Sequence, residues 1–159
     1  MNIWNIMSLS VSFRKILVAI DGSEASSHAA DHAINLAQRY KASLIILHVL
    51  HLKTLRQISS SFITAPTFGL EEAKELKARA KKWTENINKK AKTKGLISKT
   101  KIIEDETSIV GSIVESAEEE RVDLIVVGTR GKTGFRRLLL GSVAQGVLTY
   151  AHCPVLAVR

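Results

Sequence analysis

The sequence has few of the features that form disulfides, span a membrane or direct a protein to export. Among its 159 residues there is one cysteine, Cys153, so no disulfide can form within the chain, which fits a reducing compartment. No apolar run approaches the ~20 residues that span a bilayer. The first twelve residues, MNIWNIMSLSVS, lack the basic start and the small-residue cleavage site of a signal peptide. We therefore expect a cytoplasmic protein with a flexible extension over 1–12 and one domain over 13–159.

Several enzyme motifs are also missing. There is no GxSxG elbow, and His152 and Cys153 are adjacent, so their side chains would diverge in an extended segment. Residues 131–133 end like a Walker A loop, but Val126 stands where that loop needs its first glycine. The dinucleotide pattern GxGxxG fails at Arg130. These two familiar phosphate-binding motifs are excluded.

Positive charge outweighs negative, with 23 Lys and Arg against 15 Asp and Glu and a formal net charge of +8. Residues 71–104 carry eleven Lys or Arg and five Glu, and their spacing predicts an amphipathic helix with a solvated basic face. Nucleic-acid binding through 71–104 is an alternative function, although the segment lacks interleaved aromatic residues for stacking on bases. A second basic cluster alternates with glycines and consists of Arg130, Lys132, Arg136 and Arg137.

Continuous apolar runs predict strands that are buried on both faces, as in a parallel sheet. These runs occupy residues 15–20, 44–50, 124–127 and 155–158. Helical patterns lie between them at 23–40, 71–91, 109–120 and 142–150, with a stop at Gly95, a short strand at 99–104 and a loop over 57–69. The alternation predicts an α/β fold, a single open, doubly wound parallel sheet with helices on both faces.

The glycine-rich basic loop after the run at 124–127 is the candidate ligand site. It starts at Gly128, passes Gly131, and reaches Gly141 and Ser142, where a helix is predicted. Glycines let backbone N–H groups approach an anion, and a helix N-terminus adds free donors and a favourable dipole. Ligands of open α/β sheets bind at the carboxyl ends of the strands, where this loop begins. The pattern predicts a phosphate site, and its alternative is a basic surface turn.

Several short motifs, in their order and spacing, resemble the universal stress protein family. Gly128-x2-Gly131-x9-Gly141-Ser142 is similar to the nucleotide-binding signature of that family. ILVAIDGSE at 16–24 resembles its first strand and turn, LHV at 47–49 the end of its second strand, and GSVAQGVLTYAHCPVLAV at 141–158 its last helix and strand. The resemblance runs from about residue 14 to residue 159 and implies five strands in the order 3-2-1-4-5, a homodimer and, because members with the glycine signature bind ATP, an ATP site.

The resemblance also implies which residues face the nucleotide. Asp21 would face the adenosine with Ala19 and Ile20 beside it, and the Val49 backbone would meet the adenine edge. The ribose and phosphates would be lined by Val127, Gly128, Arg130, Gly131, Gly141, Ser142 and Val143. Asp21 and Ser142 also have structural alternatives, as a turn residue and as a helix N-cap. The chain departs from the family pattern at 107–109, where Thr-Ser-Ile replaces a common Gly-x-Pro.

Taken together, these features predict a stress-response regulatory protein that binds ATP, with or without Mg²⁺. A slow Mg²⁺-dependent ATPase or autokinase is the alternative, but hydrolysis usually needs a group that orients water, and Asp21 is the one carboxylate expected near the phosphates. We assign no catalytic residue. Glu24, His28 and His32 have a helical spacing that can hold zinc, and the acidic turn at 104–106 could hold a hard cation. We interpret both groups as solvated surface and expect no metal site.

The homodimer is expected to form through the strand at 155–158. If this strand lies at the sheet edge, as the resemblance implies, it has unpaired N–H and C=O groups flanked by apolar side chains. A two-fold axis would pair it with its own copy in antiparallel fashion. Pro154 stands at the start of the strand, where the loss of an N–H is tolerated. No membrane partner is expected.

Overall fold

The computed structural model describes residues 12–51, 68–105, 107–131 and 140–159, with the backbone alone over 68–72. Within these residues the strands are β1 (Lys15–Ala19), β2 (Ser43–His51), β3 (Ser98–Asp105), β4 (Leu124–Gly128) and β5 (Val155–Val158). The helices are α1 (Glu24–Tyr40), α2 (Phe68–Thr93), α3 (Ile109–Glu119) and α4 (Ser142–Tyr150). The five strands form one parallel sheet in the order β3-β2-β1-β4-β5, which confirms the expected fold class.

Each face of the sheet buries its own apolar cluster. On the α1–α2 face, Ile16, Val18 and Ile46 pack under α1, whose alanines Ala30 and Ala33 let the helix lie close to the strands. The α3–α4 face holds a second cluster, which includes Leu17, Ile45, Leu47, Ile113, Val127 and Val147. The strands are therefore covered on both sides, which explains why their sequences are continuous apolar runs.

The central pairing of the sheet joins distant parts of the chain. β1 pairs with β2 and also with β4, in a register that places Ala19 opposite Leu47 and opposite Val127. At the other end of β1 the carboxylate of Asp123 accepts hydrogen bonds from the backbone N–H groups of Arg14 (2.7 Å) and Lys15 (2.8 Å). This carboxylate fixes the register of β1 against β4.

Helix ends follow the sequence signals closely. Ser23 is the N-cap of α1, and its Oγ accepts a hydrogen bond from the N–H of Ser26 at 3.2 Å. Beyond α2, Gly95 has φ +76°, and the N–H of Leu96 donates to the carbonyl of Ala91 at 3.1 Å, as in a helix stop of the Schellman type. The helix runs two residues past the expected 91 because this motif keeps the last turn helical.

Some sequence predictions lie outside the described residues. They concern most of the N-terminal extension, most of the 57–69 loop, Glu106 and the loop cations Lys132, Arg136 and Arg137. In the part of the chain that the structure describes, no helix combines the length and apolarity needed to cross a bilayer.

Candidate functional site

A cavity of about 180 Å³ opens at the carboxyl ends of β1, β2 and β4, on the α3–α4 face. β1 and β4 are adjacent in the sheet although distant in sequence, so the cavity lies at the point where the strand order reverses. All eleven residues named from the sequence line it: Ala19, Ile20, Asp21, Val49, Val127, Gly128, Arg130, Gly131, Gly141, Ser142 and Val143. Five further lining residues were missed, namely Ser26, Ile109, Ile113, Thr129 and Ala144.

The turn after β1 places Asp21 at the mouth of the cavity. Asp21 Oδ1 accepts hydrogen bonds from the Ser23 N–H at 2.9 Å and the Ser23 hydroxyl at 2.6 Å. The second oxygen, Oδ2, faces Gly131, where an added Cβ would lie 3.0 Å from it. Asp21 thus shapes the turn that starts α1, as its structural alternative predicted, and its side chain also lines the cavity.

The glycines of the loop serve two different purposes. A Cβ on Gly128 would lie 2.9 Å from the Ala25 carbonyl carbon and 3.0 Å from the Ser26 nitrogen, because the end of β4 abuts the first turn of α1. Among the described residues, a Cβ on Gly131 would meet only the Asp21 carboxylate within 4 Å, at 3.0 Å. Gly128 is therefore required by packing, whereas Gly131 leaves open the space in which a ligand could approach the backbone.

The first turn of α4 lines the cavity without a side-chain cap. Its N-cap is Gly141, and no side chain of the described residues caps the helix. The alternative role of Ser142 as an N-cap is wrong, because Ser142 is already the first helical residue. The first turn of a helix has N–H groups without intrahelical partners and carries partial positive charge. An anion in this cavity would meet these groups.

Backbone hydrogen bonds fix where α4 begins. The Gly141 N–H donates to the carbonyl of Thr129 at 2.7 Å, and the Thr129 N–H donates to the carbonyl of Val158 at 2.6 Å. The start of α4 is thereby tied through Thr129 to the end of β5. Thr129 is buried, and its hydroxyl has no hydrogen-bond partner within the described residues.

Much of the cavity lining is apolar. Val49 and Val127 come from the strands, Ile109 and Ile113 from α3, and Val143 from the first turn of α4. Helix α3 crosses α4 so closely that a Cβ on Gly146 would lie 2.7 Å from the side chain of Val110. The cavity therefore combines an apolar lining with the polar, positively polarised start of α4.

The described part of the acidic turn after β3 is engaged in starting the next helix. Asp105 accepts hydrogen bonds from the Ser112 hydroxyl and from the N–H groups of Thr107 and Ser108, and these bonds lower the pKa of Asp105 to about 2. Ser108 is the N-cap of α3 and accepts from the Gly111 N–H at 3.0 Å. The departure from Gly-x-Pro thus gives a serine-capped helix.

The geometry gives no support to the second candidate metal site, which consists of Glu24, His28 and His32. His28 Nδ1 donates to the Arg159 carbonyl at 3.1 Å. Across the described residues, no group of three or more His, Cys, Asp or Glu side chains is placed to hold a metal ion.

Burial raises the pKa of the Cys153 thiol, which makes the reactive thiolate scarcer at neutral pH.

The fold and the cavity define an open α/β protein with a cavity at its topological switch point. The universal stress protein family model matches residues 12–159, and the chain belongs to that family. Universal stress protein MJ0531 of Methanocaldococcus jannaschii is 38% identical over 149 residues, covering 92% of this chain and 82% of the relative. Universal stress protein YxiE of Bacillus subtilis is 39% identical over 149 residues, covering 92% of this chain and 99% of the relative.

Solved structures agree with this assignment. The structure of protein MJ0577 of Methanocaldococcus jannaschii has a TM-score of 0.78 at 32% identity and covers 93% of this chain and 96% of its own. A universal stress protein solved in complex with cAMP has a TM-score of 0.67 at 26% identity, with coverage of 94% and 98%. Adenine-nucleotide binding is therefore known for a structural relative of this chain.

Proposed function

We propose that the protein is a regulatory module that binds ATP in the cavity at the carboxyl ends of β1, β2 and β4. The observation that carries the proposal is the start of α4, which no described side chain caps, in the same cavity as a set of apolar side chains. Polarised N–H groups suit phosphates, and an apolar slot suits a purine base. The cAMP complex of a structural relative supports an adenine nucleotide.

Different residues of the cavity would contact the base, the ribose and the phosphates. Val49 and Val127 belong to the apolar lining, where they would contact the base. Asp21 Oδ2 can accept hydrogen bonds from ribose hydroxyls but would repel phosphates. The phosphates would then lie toward Gly131 and the first turn of α4, with the guanidinium of Arg130 adding positive charge. A Mg²⁺ ion, where present, would arrive bound to the ATP phosphates.

Substitution of Gly131 tests this assignment. Gly131→Val adds a side chain whose Cβ meets, among the described residues, only the Asp21 carboxylate, so we expect the fold to persist while ATP affinity falls by about tenfold or more. Gly95→Ala is the matched control. It strains a backbone at φ +76°, where no described atom lies within 4 Å of the new Cβ. We expect it to lower stability and leave ATP affinity unchanged in calorimetric titration; unchanged affinity in Gly131→Val would contradict the proposal.

The identity of the nucleotide has its own test. Mass spectrometry of the denatured purified protein should detect a co-purified adenine nucleotide. Calorimetric titrations with ATP, ADP, AMP, cAMP and GTP should rank ATP first. Preferential binding of cAMP would support the proposed site but would identify cAMP, and not ATP, as its ligand.

Binding without rapid hydrolysis is the expected outcome. Asp21 is the one carboxylate among the described residues that line the cavity, and its Oδ1 is occupied by Ser23. Hydrolysis requires a group that orients the attacking water, and no second candidate lies there. Mg²⁺-dependent ADP release well above background, lost in Asp21→Ala, would establish the ATPase alternative instead.

The basic helix α2 gives little support to nucleic-acid binding. Its cations are partly neutralised by four ion pairs, Lys77–Glu104, Arg79–Glu75, Lys81–Glu85 and Lys90–Asp31. Trp83 packs against the buried cluster of the α1–α2 face instead of lying among the lysines as a stacking surface. Steeply salt-dependent binding of duplex DNA would contradict this interpretation.

We also propose a homodimer through β5, which is the edge strand next to β4. Pro154 and Val158 direct their carbonyls to β4, accepting from Ile125 at 3.0 Å and Thr129 at 2.6 Å. In a parallel pairing the backbone groups of residues 155 and 157 then point outward, available to a second copy.

A proline at position 157 tests this interface. The side chains of Val155 and Ala157 pack against the α3–α4 cluster, so a charged residue there would damage the fold itself. Ala157→Pro removes an outward N–H and leaves the bonds to β4. Light scattering should report a monomer, and a folded variant that remains dimeric would place the interface elsewhere.

A further inference from the structure

The turn that carries Asp21 is held from the face of the sheet opposite the cavity. His48 lies on β2 with its ring on the α1–α2 face, 5% exposed. Its Nδ1 lies 2.6 Å from the carbonyl oxygen of Ile20, the residue before Asp21. A carbonyl can only accept, so Nδ1 carries the proton and donates it to this bond.

A second contact holds the residue after Asp21. Gly22 has φ +82°, and a Cβ there would lie 2.6 to 2.7 Å from three atoms of the Trp83 indole. The rings of His48 and Trp83 are in edge-to-face contact, with centroids 5.7 Å apart and planes at 65°. Ile20 and Gly22, on either side of Asp21, are therefore each fixed by one of two touching aromatic rings.

The position of the Asp21 carboxylate depends on this support. Its Oδ1 is fixed by Ser23, and its Oδ2 is left facing Gly131 across the mouth of the cavity. A change in the plane of the Ile20 peptide would swing the turn and move Oδ2 relative to Gly131. His48 and Trp83 are not among the described residues that line the cavity, and the turn is where both rings contact the segment that carries Asp21.

We propose that His48 is a positioning residue of the nucleotide site, which acts through the Ile20 carbonyl on Asp21, with Trp83 as the surface on which the turn rests. The proposal rests on the proposed ATP binding at this cavity. It assigns His48 a role in affinity that a buried histidine serving the fold alone would not have.

Two polar variants of similar size separate these roles. In His48→Asn the amide nitrogen lies near the position of Nδ1 and can keep the bond to Ile20. In His48→Gln the amide lies near the position of Nε2, and the bond is lost. We expect ATP affinity within about twofold of wild type for His48→Asn and a loss of about tenfold for His48→Gln, the scale of one hydrogen bond.

A double-mutant cycle with Asp21→Asn tests the route of action. If His48 acts through Asp21, His48→Gln should weaken ATP binding by less than about twofold in the Asp21→Asn background. Equal losses in both backgrounds would overturn the proposal. So would wild-type affinity in His48→Gln, or equal losses in His48→Asn and His48→Gln.

A measurement without ligand separates this proposal from the proposed function. The Ser23 N–H is bonded to Asp21 Oδ1, so its hydrogen exchange reports whether the turn is held. Exchange should be faster in His48→Gln than in wild type or His48→Asn, and equal rates would overturn the positioning role. If the wild-type protein binds no nucleotide but this exchange pattern is found, the proposed function fails while the support of the turn by His48 stands.

Trp83 provides an independent optical readout. The chain has two tryptophans, so Trp4→Phe leaves Trp83 as the sole indole emitter. In that background ATP should change the Trp83 emission, and His48→Gln should shift the emission of the free protein. An emission insensitive both to ATP and to His48→Gln would count against the coupling.

Discussion

Helices α3 and α4 start at the same edge of the sheet, but they differ in what accepts hydrogen bonds from the N–H groups at their starts. At α3 the protein supplies its own anion, since the Asp105 carboxylate and the Ser108 hydroxyl accept from the nearby N–H groups. At α4 the N-cap is Gly141, and no side chain of the described residues takes that place. One structural element can thus serve two purposes: a helix start with its own acceptor stabilises the fold, and one that no described side chain caps suits the anion of the proposed ligand.

The largest expected effect comes from giving α4 an anion of its own. Gly141→Asp should weaken ATP binding by about a hundredfold, because the carboxylate would occupy the N–H groups and repel phosphate. Gly141→Ser is the matched control: it caps without charge and shares the 3.2 Å contact of a new Cβ with the Thr129 carbonyl. We expect a loss of about tenfold for this variant in the same titration. Equal affinities in both variants and wild type would show that α4 does not bind the phosphates.

Removing the cap of α3 should lower the stability of the fold and leave ATP affinity nearly unchanged, the reverse of the effect expected at α4. Ser108→Ala leaves the Gly111 N–H without its acceptor and should lower the free energy of unfolding by about 1 kcal/mol in urea denaturation. ATP affinity should stay within about twofold of wild type. Ser108→Thr keeps a capping hydroxyl and should restore most of the stability. A large loss of ATP affinity in Ser108→Ala would erase the distinction between the two helix starts.

The other end of α3 allows a gain in stability. Arg121 has φ +52°, a conformation that glycine adopts without strain, and its N–H donates to the Glu118 carbonyl at 3.0 Å. Arg121→Gly should therefore raise the free energy of unfolding by about 0.5 kcal/mol, the strain relief exceeding the added freedom of the unfolded chain. Denaturant titration checks this, and Arg121→Ala should give no such gain.

The smallest expected effect is the pH dependence that Asp105 contributes. Hydrogen bonds lower its pKa from 3.8 to about 2, so its contribution to stability is present above pH 3.8 and is lost as the pH falls toward 2. The carboxylate lies at the surface, where solvent screening keeps the contribution small. The difference in melting temperature between wild type and Asp105→Asn should shrink as the pH is lowered through this window. A difference that is constant with pH would remove Asp105 as the anion of α3.

The elements that the sequence predicted best are those whose signal is local. Apolar runs located the strands, Ser23 located the start of α1, and Gly95 located the stop after α2, because each depends on neighbouring residues. The strand order and the members of the site came from the resemblance to a family. The eleven named residues line one cavity.

What the sequence did not reveal depends on contacts between distant elements. Ile109 and Ile113 reach the cavity because Gly146 lets α4 approach Val110, a crossing that no local pattern encodes. The support of the Asp21 turn by His48 and Trp83 joins residues 28 positions apart or more. Serine favours the N-cap position, which suggested Ser142 as a cap, yet the helix begins at Ser142 itself, one residue earlier than a Ser142 cap requires, with the Gly141 N–H bonded to Thr129.

The pairing of β1 with β4 also has a kinetic consequence. The bond between the Lys15 N–H and Asp123 spans 108 positions of the chain, so the two halves of the sheet meet through a long loop closure that is slow compared with local pairing. Val49 belongs to the first half and Val127 to the second, and both line the cavity, so its lining is incomplete until the halves have joined. A bound ligand would therefore stabilise contacts that form late in folding. It would slow the unfolding of the folded protein without raising its folding rate.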